Sequence, residues 1–229
     1  GNEMEGHLCA GRLADPDLKT PFVALIVSGG HTQLVHVRHW GTYDILGATR
    51  DDAAGEAFDK VAKLLQVGYS GGPIIDQLAR EGDPTYIAFP RTYLDRDQFE
   101  FSFSGIKTSV RTYLTKQSAE RIDRDLPHIA ASFQEAVVDV LVDKTIAAAK
   151  SRHTSSILIT GGVACNSRLR DRMTAQGAEH NVRVTIPPSI LCTDNGAMIA
   201  AVGSFYFNQG RKDELDLTVN PRATLKTAS

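Results

Sequence analysis

Apolar positions between residues 22 and 47 recur at intervals of one or two, whereas those from residue 54 onward recur at three and four. Phe22 to Val27 is a continuous apolar run, Thr32 to Val37 alternates, and a third run covers about residues 43 to 47. Period-two patterning with tight turns predicts a three-strand meander. Ala54, Ala57, Phe58, Val61, Leu64 and Leu65 then predict a helix to about residue 66, with Asp51-Asp52 placed to cap it. Its other stripe, Asp52, Glu56, Asp59 and Lys63, reads locally as a solvated face. Ahead of the meander, Met4, Leu8 and Leu13 among Glu3, Glu5 and His7 predict a helix over residues 2–14. Ala14-Asp15-Pro16-Asp17 closes it and reads as a hinge.

Downstream, Gly68 to Pro73 is a loop, and Pro73 starts a short helix to about Arg80. Residues 82–100 mix prolines, arginines and acids without a period and predict an irregular insertion. Phe101 to Lys107 enters a helix that runs to about Lys116. Asp125 and Pro127 open a longer core helix with Ile129, Phe133, Ala136, Val137, Val140 and Leu141 on one face. From residue 157 the order becomes strand (157–160), Gly161-Gly162, helix (164 to about 176), strand (182–186) and helix (about 194–208). Strands alternating with helices pair mainly in parallel. The fold class is therefore α/β: a meander followed by strand-helix units predicts an actin/Hsp70-like lobe, a mixed sheet flanked by helices, with a helical insertion.

Composition narrows the partners. With 42% hydrophobic and 23% charged residues the chain is globular, and no apolar run approaches the roughly 18 residues of a membrane span. The formal charge of −2 provides no overall positive field, so a nucleic-acid partner requires a local basic patch or another subunit. Cys9, Cys165 and Cys192 form no Cys-x-x-Cys pair and predict a reducing cytoplasm, not a disulfide framework. The first residue is Gly1 and structured-looking sequence follows at once, which predicts the later part of a longer protein.

The candidate chemistry gathers at two glycine turns. In Val27-Ser28-Gly29-Gly30-His31-Thr32, Gly29 and Gly30 are expected to take positive φ and open the backbone N–H groups to an anion, with hydroxyls from Ser28 and Thr32. Thr160-Gly161-Gly162 lies between a buried strand and a helix start, where phosphates bind in α/β folds. Asn166 then reads equally as a ribose or amide contact and as a helix cap. Asp194 reads as an N-cap or, with His7, as half of an oxygen-nitrogen site for iron or zinc. His31, His36 and His39 fit no metal spacing. Ser104-Gly105-Ile106-Lys107 matches the Ser-x-x-Lys of penicillin-recognising acyl enzymes, but their Lys-Thr-Gly strand is missing. Lys107 and Arg111, or Arg168, Arg170 and Arg172, are candidate RNA contacts.

Several segments together are similar to one family. Val27 to Gln33, Asp51 to Lys60, Phe101 to Lys107, Gly161-Gly162-Val163 and Cys192 to Ala197 resemble, in the same order, the bacterial TsaD family, formerly described as O-sialoglycoprotein endopeptidases. The resemblance implies a tRNA N6-adenosine threonylcarbamoyltransferase. Substrate contacts are then implied at Ile26, Val27, Ser28, Gly29 and Gly30, with Asp59, Gly72, Asp76 and Asn166 at the nucleotide. It further implies iron or zinc, one per subunit, on His7 and Asp194. Family members carry histidine four residues before His7, where this chain has Glu3, which shares the helix face and can ligate as a carboxylate. Implied partners are threonylcarbamoyl-adenylate, tRNA and TsaB- and TsaE-like subunits, with no membrane. The implied layout is residues 1–20 as the end of a first lobe and hinge, 21–209 as a second lobe with its insertion at about 73–150, and 210–229 as a C-terminal tail. A non-catalytic nucleotide-binding or assembly lobe, or a degenerate paralogue, is the alternative from another class. The older protease description finds no His-Glu-x-x-His helix.

Overall fold

The computed structural model describes residues 3–93, 99–211 and 225. Most of the tail expected at 210–229, part of the insertion (94–98), and the first two residues lie outside these. Five strands, β1 (Phe22–Val27), β2 (Thr32–His39), β3 (Thr42–Ala48), β4 (Ser156–Thr160) and β5 (Arg183–Thr185), form one sheet in the order β3-β2-β1-β4-β5. The meander pairs antiparallel, β1 on β2 and β2 on β3, while β1 to β4 and β4 to β5 are parallel. The expected mixed sheet is present.

β1 has no polar residue because it is central and both its faces are covered. Val23, Leu25 and Val27 face a large core with Phe58, Phe133, Val137 and Leu141. Phe22, Ala24 and Ile26 face a smaller one with Met4, Leu8, Val35 and Leu158. The large core is covered by α2 (Ala54–Leu64), α3 (Gly71–Ala79), α4 (Ser104–Leu114), α5 (Ala119–Ser151) and α6 (Ser167–Glu179). The other face carries α1 (Glu3–Ala14), which packs on α8 (Gly196–Asn208). A short α7 (Ser189–Cys192) precedes α8.

Several boundaries differ from the sequence reading, each for a local reason. Asp51 and Asp52 do not cap α2. Thr32 Oγ1, from β2, accepts the Ala54 N–H at 2.8 Å instead. Asp51 gathers the start of α4, accepting from the Ser102 hydroxyl (2.6 Å), the Phe103 N–H (2.8 Å) and the Ser104 hydroxyl (2.9 Å). Asp52 pairs with Lys60 at 2.6 Å. The long helix begins at Ala119, capped by Ser118, and runs through Pro127 for 33 residues. The loop before it braces that section: Asp83 N–H donates to His128 Nδ1 at 2.9 Å, and Ser132 Oγ accepts from Ile87 N–H at 3.0 Å. A 3₁₀ turn (Gly162–Cys165) delays α6 to Ser167, and Asn195, not Asp194, opens α8.

Candidate functional site

The two glycine turns follow the carboxyl ends of β1 and β4, which are neighbours and parallel. Crevices outside such ends are where open α/β sheets bind ligands. Gly161 joins the turns tightly: its φ is +98°, and a Cβ there would lie 2.3 Å from the Val27 carbonyl oxygen. Gly29 and Gly30 do not take the positive φ expected of them. Their turn closes conventionally, with Ser28 N–H donating to the His31 carbonyl (2.8 Å) and His31 N–H to Ser28 Oγ (3.1 Å). What the two glycines supply is openness, since a Cβ on either would meet nothing within 4 Å. At Gly55 the opposite holds. A Cβ there would lie 2.6 Å from the Ser28 carbonyl oxygen, so the start of α2 rests directly on the turn.

From that turn a chain of polar contacts runs along α2, α3 and α6. Asp59 Oδ1 accepts the Gly71 N–H at 2.8 Å and fixes the start of α3. Gly72 has open space where a side chain would stand. One turn on, buried Asp76 accepts the Ser167 hydroxyl at 2.7 Å and the Ser167 N–H at 3.2 Å. Asn166 Oδ1 caps α6 through the Leu169 N–H (3.0 Å), while its Nδ2 donates to Gln134 Oε1 (2.7 Å). The cap reading of Asn166 is thus realised, and Asp76 and Asn166 both brace the helix end beside the second glycine turn. A groove of about 540 Å³ opens beside Asp59 and Gly71, flanked by Lys60, Lys63 and Tyr69, a residue that is 93% exposed.

The third group lies where α1 meets the start of α8. Glu3, His7 and Asp194 each offer a ligand atom, and all three atoms fall within 4.8 Å of one another. His7 Nε2 is 3.3 Å from Asp194 Oδ1 and 3.9 Å from Glu3 Oε1. Because Asn195 Oδ1 takes the Met198 N–H at 2.9 Å, Asp194 is released from capping. The helices approach closely at Gly6, where a Cβ would come within 3.1 Å of Ile199 and Met198 side-chain atoms. Below, the Tyr206 hydroxyl donates to the buried Glu5 carboxylate, and burial pushes the Tyr206 phenol up to about 12.

These residues fit a divalent metal on two counts. His7 is fully buried, yet neither ring nitrogen has a hydrogen-bond partner, a costly state without a ligand. Ligand atoms about 2.1 Å from one ion lie roughly 3–3.5 Å apart, so the His7–Asp194 spacing fits and the exposed Glu3 side chain needs only a small adjustment. Burial pushes His7 below the ordinary histidine range, against Asp194 and Glu3, and the nearby His31 adds to the lowering. The imidazole therefore stays neutral, the form that ligates. The second glycine turn borders the approach to this cluster, since a Cβ on Gly162 would lie 4.0 Å from the methyl group of Thr193.

Other candidates are bound into the fold. Arg168 pairs with Glu135 at 2.6 Å, Arg172 with Asp139 at 2.9 Å, and Arg170 donates to the Ala164 carbonyl at 2.7 Å. They are not an open RNA face. Lys107 and Arg111 have no ion-pair partner among the described residues. Ser104 is held by Asp51, which removes the acyl-enzyme reading. Thr32, Ser167 and Gln134 were not foreseen as supports. Their partners lie 22, 91 and 32 residues away, and no local pattern signals such contacts.

The model of the family TsaD, tRNA N6-adenosine threonylcarbamoyltransferase, matches residues 2–201. Relatives carrying that name are 48% identical over 227 residues in Syntrophus aciditrophicus (99% of this chain, 67% of the relative). In Clostridioides difficile the figures are 49% over 220 residues (96% and 65%). The chain thus spans about two thirds of the length of the curated relatives it matches. Among solved structures, full-length HypF in its phosphate- and nucleotide-bound form superposes with a TM-score of 0.67 at 14% identity, over 86% of this chain and 35% of that one. HypF from T. kodakarensis gives 0.67 and 14%, over 90% and 36%. At such identity the likeness is one of fold. The family match over nearly the whole chain, with relatives close to half identical, establishes that the chain belongs to the TsaD family.

Proposed function

We propose that the intact protein transfers a threonylcarbamoyl group from threonylcarbamoyl-adenylate to the N6 amine of the adenosine beside the anticodon of tRNA. The observation that carries this reading is the Glu3-His7-Asp194 cluster, whose Asp194 follows Thr193 beside Gly162 of the second glycine turn, with that turn packed on the end of the adjacent parallel strand, in a chain of this family. On this reading Ile26, Val27, Ser28, Gly29 and Gly30 line the adenylate, and Asp59, Gly72, Asp76 and Asn166 border its nucleotide part. The exocyclic amine is a weak nucleophile, because its lone pair is delocalised into the ring. Assistance must fall on the electrophile. The open N–H groups at Gly29 and Gly30 can stabilise charge that develops during transfer. Iron or zinc, one per subunit, would supply Lewis-acid polarisation of the carbonyl or neutralise the leaving phosphate. His7 Nε2 and the carboxylates of Asp194 and Glu3 would hold it.

Lys107 and Arg111 are the better-placed RNA contacts, since the arginines of α6 are paired. TsaB- and TsaE-like subunits would complete the system in the cytoplasm. No helix among the described residues is long and apolar enough to cross a membrane. The test is a label-transfer assay with the intact protein, its partner subunits, labelled threonylcarbamoyl-adenylate and tRNA. Labelled threonylcarbamoyladenosine in the digested tRNA is the expected product, reduced at least about a hundredfold in Asp194→Ala. Unlabelled tRNA in the complete mixture would overturn the proposal.

A further inference from the structure

Thr160 closes β4, immediately before Gly161-Gly162, and is fully buried. In register it pairs with Ile26, which like Leu158 belongs to the smaller core under α1, whereas Ile157 and Ile159 face the larger one. Its hydroxyl has no hydrogen-bond partner among the described residues, and the same holds for both ring nitrogens of His7. A valine of nearly the same shape would fill the position of Thr160 without burying an unpaired oxygen. The topology brings the two residues together. Asp15, just past the end of α1, accepts from Arg183 Nη2 at 2.6 Å and from the Thr185 hydroxyl at 3.0 Å. Those β5 residues pair with Ser156 and Leu158, in the first half of β4. One helical turn before Asp15, Gly11 rests on Leu158, where a Cβ would lie 2.6 Å from Leu158 Cδ1. α1 thus runs antiparallel to β4. His7 is one further turn back along α1, a step of about 6 Å. Thr160 is two residues further along β4, a step of about 6.6 Å on the same face. His7 therefore stands over Thr160, at the end of the sheet where Asp194 comes within 3.3 Å of Nε2.

We propose that Thr160 is a positioning residue for the metal centre: its hydroxyl and His7 Nδ1 share one water, which holds the imidazole with Nε2 turned toward Asp194 and Glu3. The inference rests on the metal reading of the Glu3-His7-Asp194 cluster. For Nε2 to offer its lone pair to a cation, the single proton of the neutral ring must sit on Nδ1. Nδ1–H then donates to the water, and the water donates to Thr160 Oγ1. A partner of this kind on the second ring nitrogen sets both the orientation and the basicity of a ligating histidine. One water and one cation would thereby satisfy three buried polar atoms, Thr160 Oγ1 and the two nitrogens of His7. The hydroxyl is a burden to the metal-free protein and an aid to the loaded one, a combination that a purely structural threonine would not show.

The experiment titrates the intact, metal-stripped protein with zinc and, without oxygen, with iron(II), against a chromophoric competing chelator. Urea unfolding is followed on the same metal-free samples of wild type, Thr160→Val and Thr160→Ser. Thr160→Val is expected to bind metal about tenfold or more weakly than wild type. Its metal-free urea midpoint should equal or exceed that of wild type, because no unpaired hydroxyl is buried. Thr160→Ser keeps the hydroxyl and should recover most of the affinity. A crystal structure should show one ordered water within about 3.2 Å of both Thr160 Oγ1 and His7 Nδ1. Equal metal affinity in wild type and Thr160→Val would overturn the proposal and leave the metal site standing. A Thr160→Ser variant as weak as Thr160→Val would also overturn it. Wild-type protein that binds neither metal would remove the metal reading and this inference together, and the label-transfer assay would still decide the catalytic one.

Discussion

Gly161 is a residue at which a single methyl group meets resistance on two counts. Its φ of +98° strains any L side chain, and the 2.3 Å approach to the Val27 carbonyl leaves no room for a Cβ. Gly161→Ala is expected to lower stability by about 2 kcal/mol or more, read as a reduced urea midpoint at unchanged slope. An unchanged midpoint would show that the two turns can separate freely. Glu135 is the second telling residue. Burial works against its charge, but the Arg168 hydrogen bond and the proximity of Arg168 and Arg172 outweigh it and hold the carboxyl below its ordinary range. A native pKa below the unfolded one, about 4.3, gives stability that is full above that value. It is lost as pH falls through the lower native value. The stability gap between wild type and Glu135→Gln should therefore be widest near neutrality and close in acid below about pH 4, measured by urea unfolding across that range. A gap independent of pH would contradict this assignment. Sequence made the glycine turn at 161–162 legible, yet it suggested positive φ at Gly29 and Gly30. There the need for glycine is openness, which depends on what stands opposite.

At the scale of elements, the start of α6 concentrates the most dependence. Asn166 caps it, Asp76 from α3 holds Ser167, and Gln134 from α5 holds the Asn166 amide. Asn166→Ala removes a cap and leaves Gln134 without that donor, at an expected cost of about 1–3 kcal/mol. Asp76→Ala acts on the same helix end, so in urea unfolding the double variant should lose measurably less than the summed single losses. Strict additivity would mean that the two groups act independently. The helix itself was expected from residue 164. The pattern could not place the 3₁₀ turn before it, because that turn exists to bring the chain past Val27 and α7. Likewise Pro127 suggested a helix start, whereas α5 runs through it, with the loop at residues 82–87 bonded to His128 and Ser132 just beyond.

For the whole molecule, the joint between α1 and α8 is where, on the proposed reading, metal binding would couple to stability. Glu3 and His7 stand on one element and Asp194 on the approach to the other, nearly the length of the chain apart. A ligand that binds the folded state alone stabilises it by mass action, about 2.7 kcal/mol at a hundred times its dissociation constant. Iron(II) or zinc at that excess should raise the melting temperature of the intact protein by several degrees, and a chelator should reverse the gain. His7→Ala should show neither response, measured by calorimetry with elemental analysis of the same samples. An equal metal-induced shift in His7→Ala would place the binding elsewhere.

Local pattern by itself determined the strand and helix order and the α/β class. Each of these depends on the alternation of apolar and polar residues over a few positions, which the backbone repeat converts directly into faces. The i, i+4 spacing of Glu3 and His7 was likewise legible, since one helix turn sets it. The tertiary structure alone decided that Asn195 caps α8 and frees Asp194, and that Thr32 rather than Asp51 or Asp52 caps α2. Each of those outcomes is a choice between partners of similar local merit. The choice falls to whichever group the packed sheet and helices bring within hydrogen-bonding distance, a matter of three-dimensional placement that no short stretch of chain encodes.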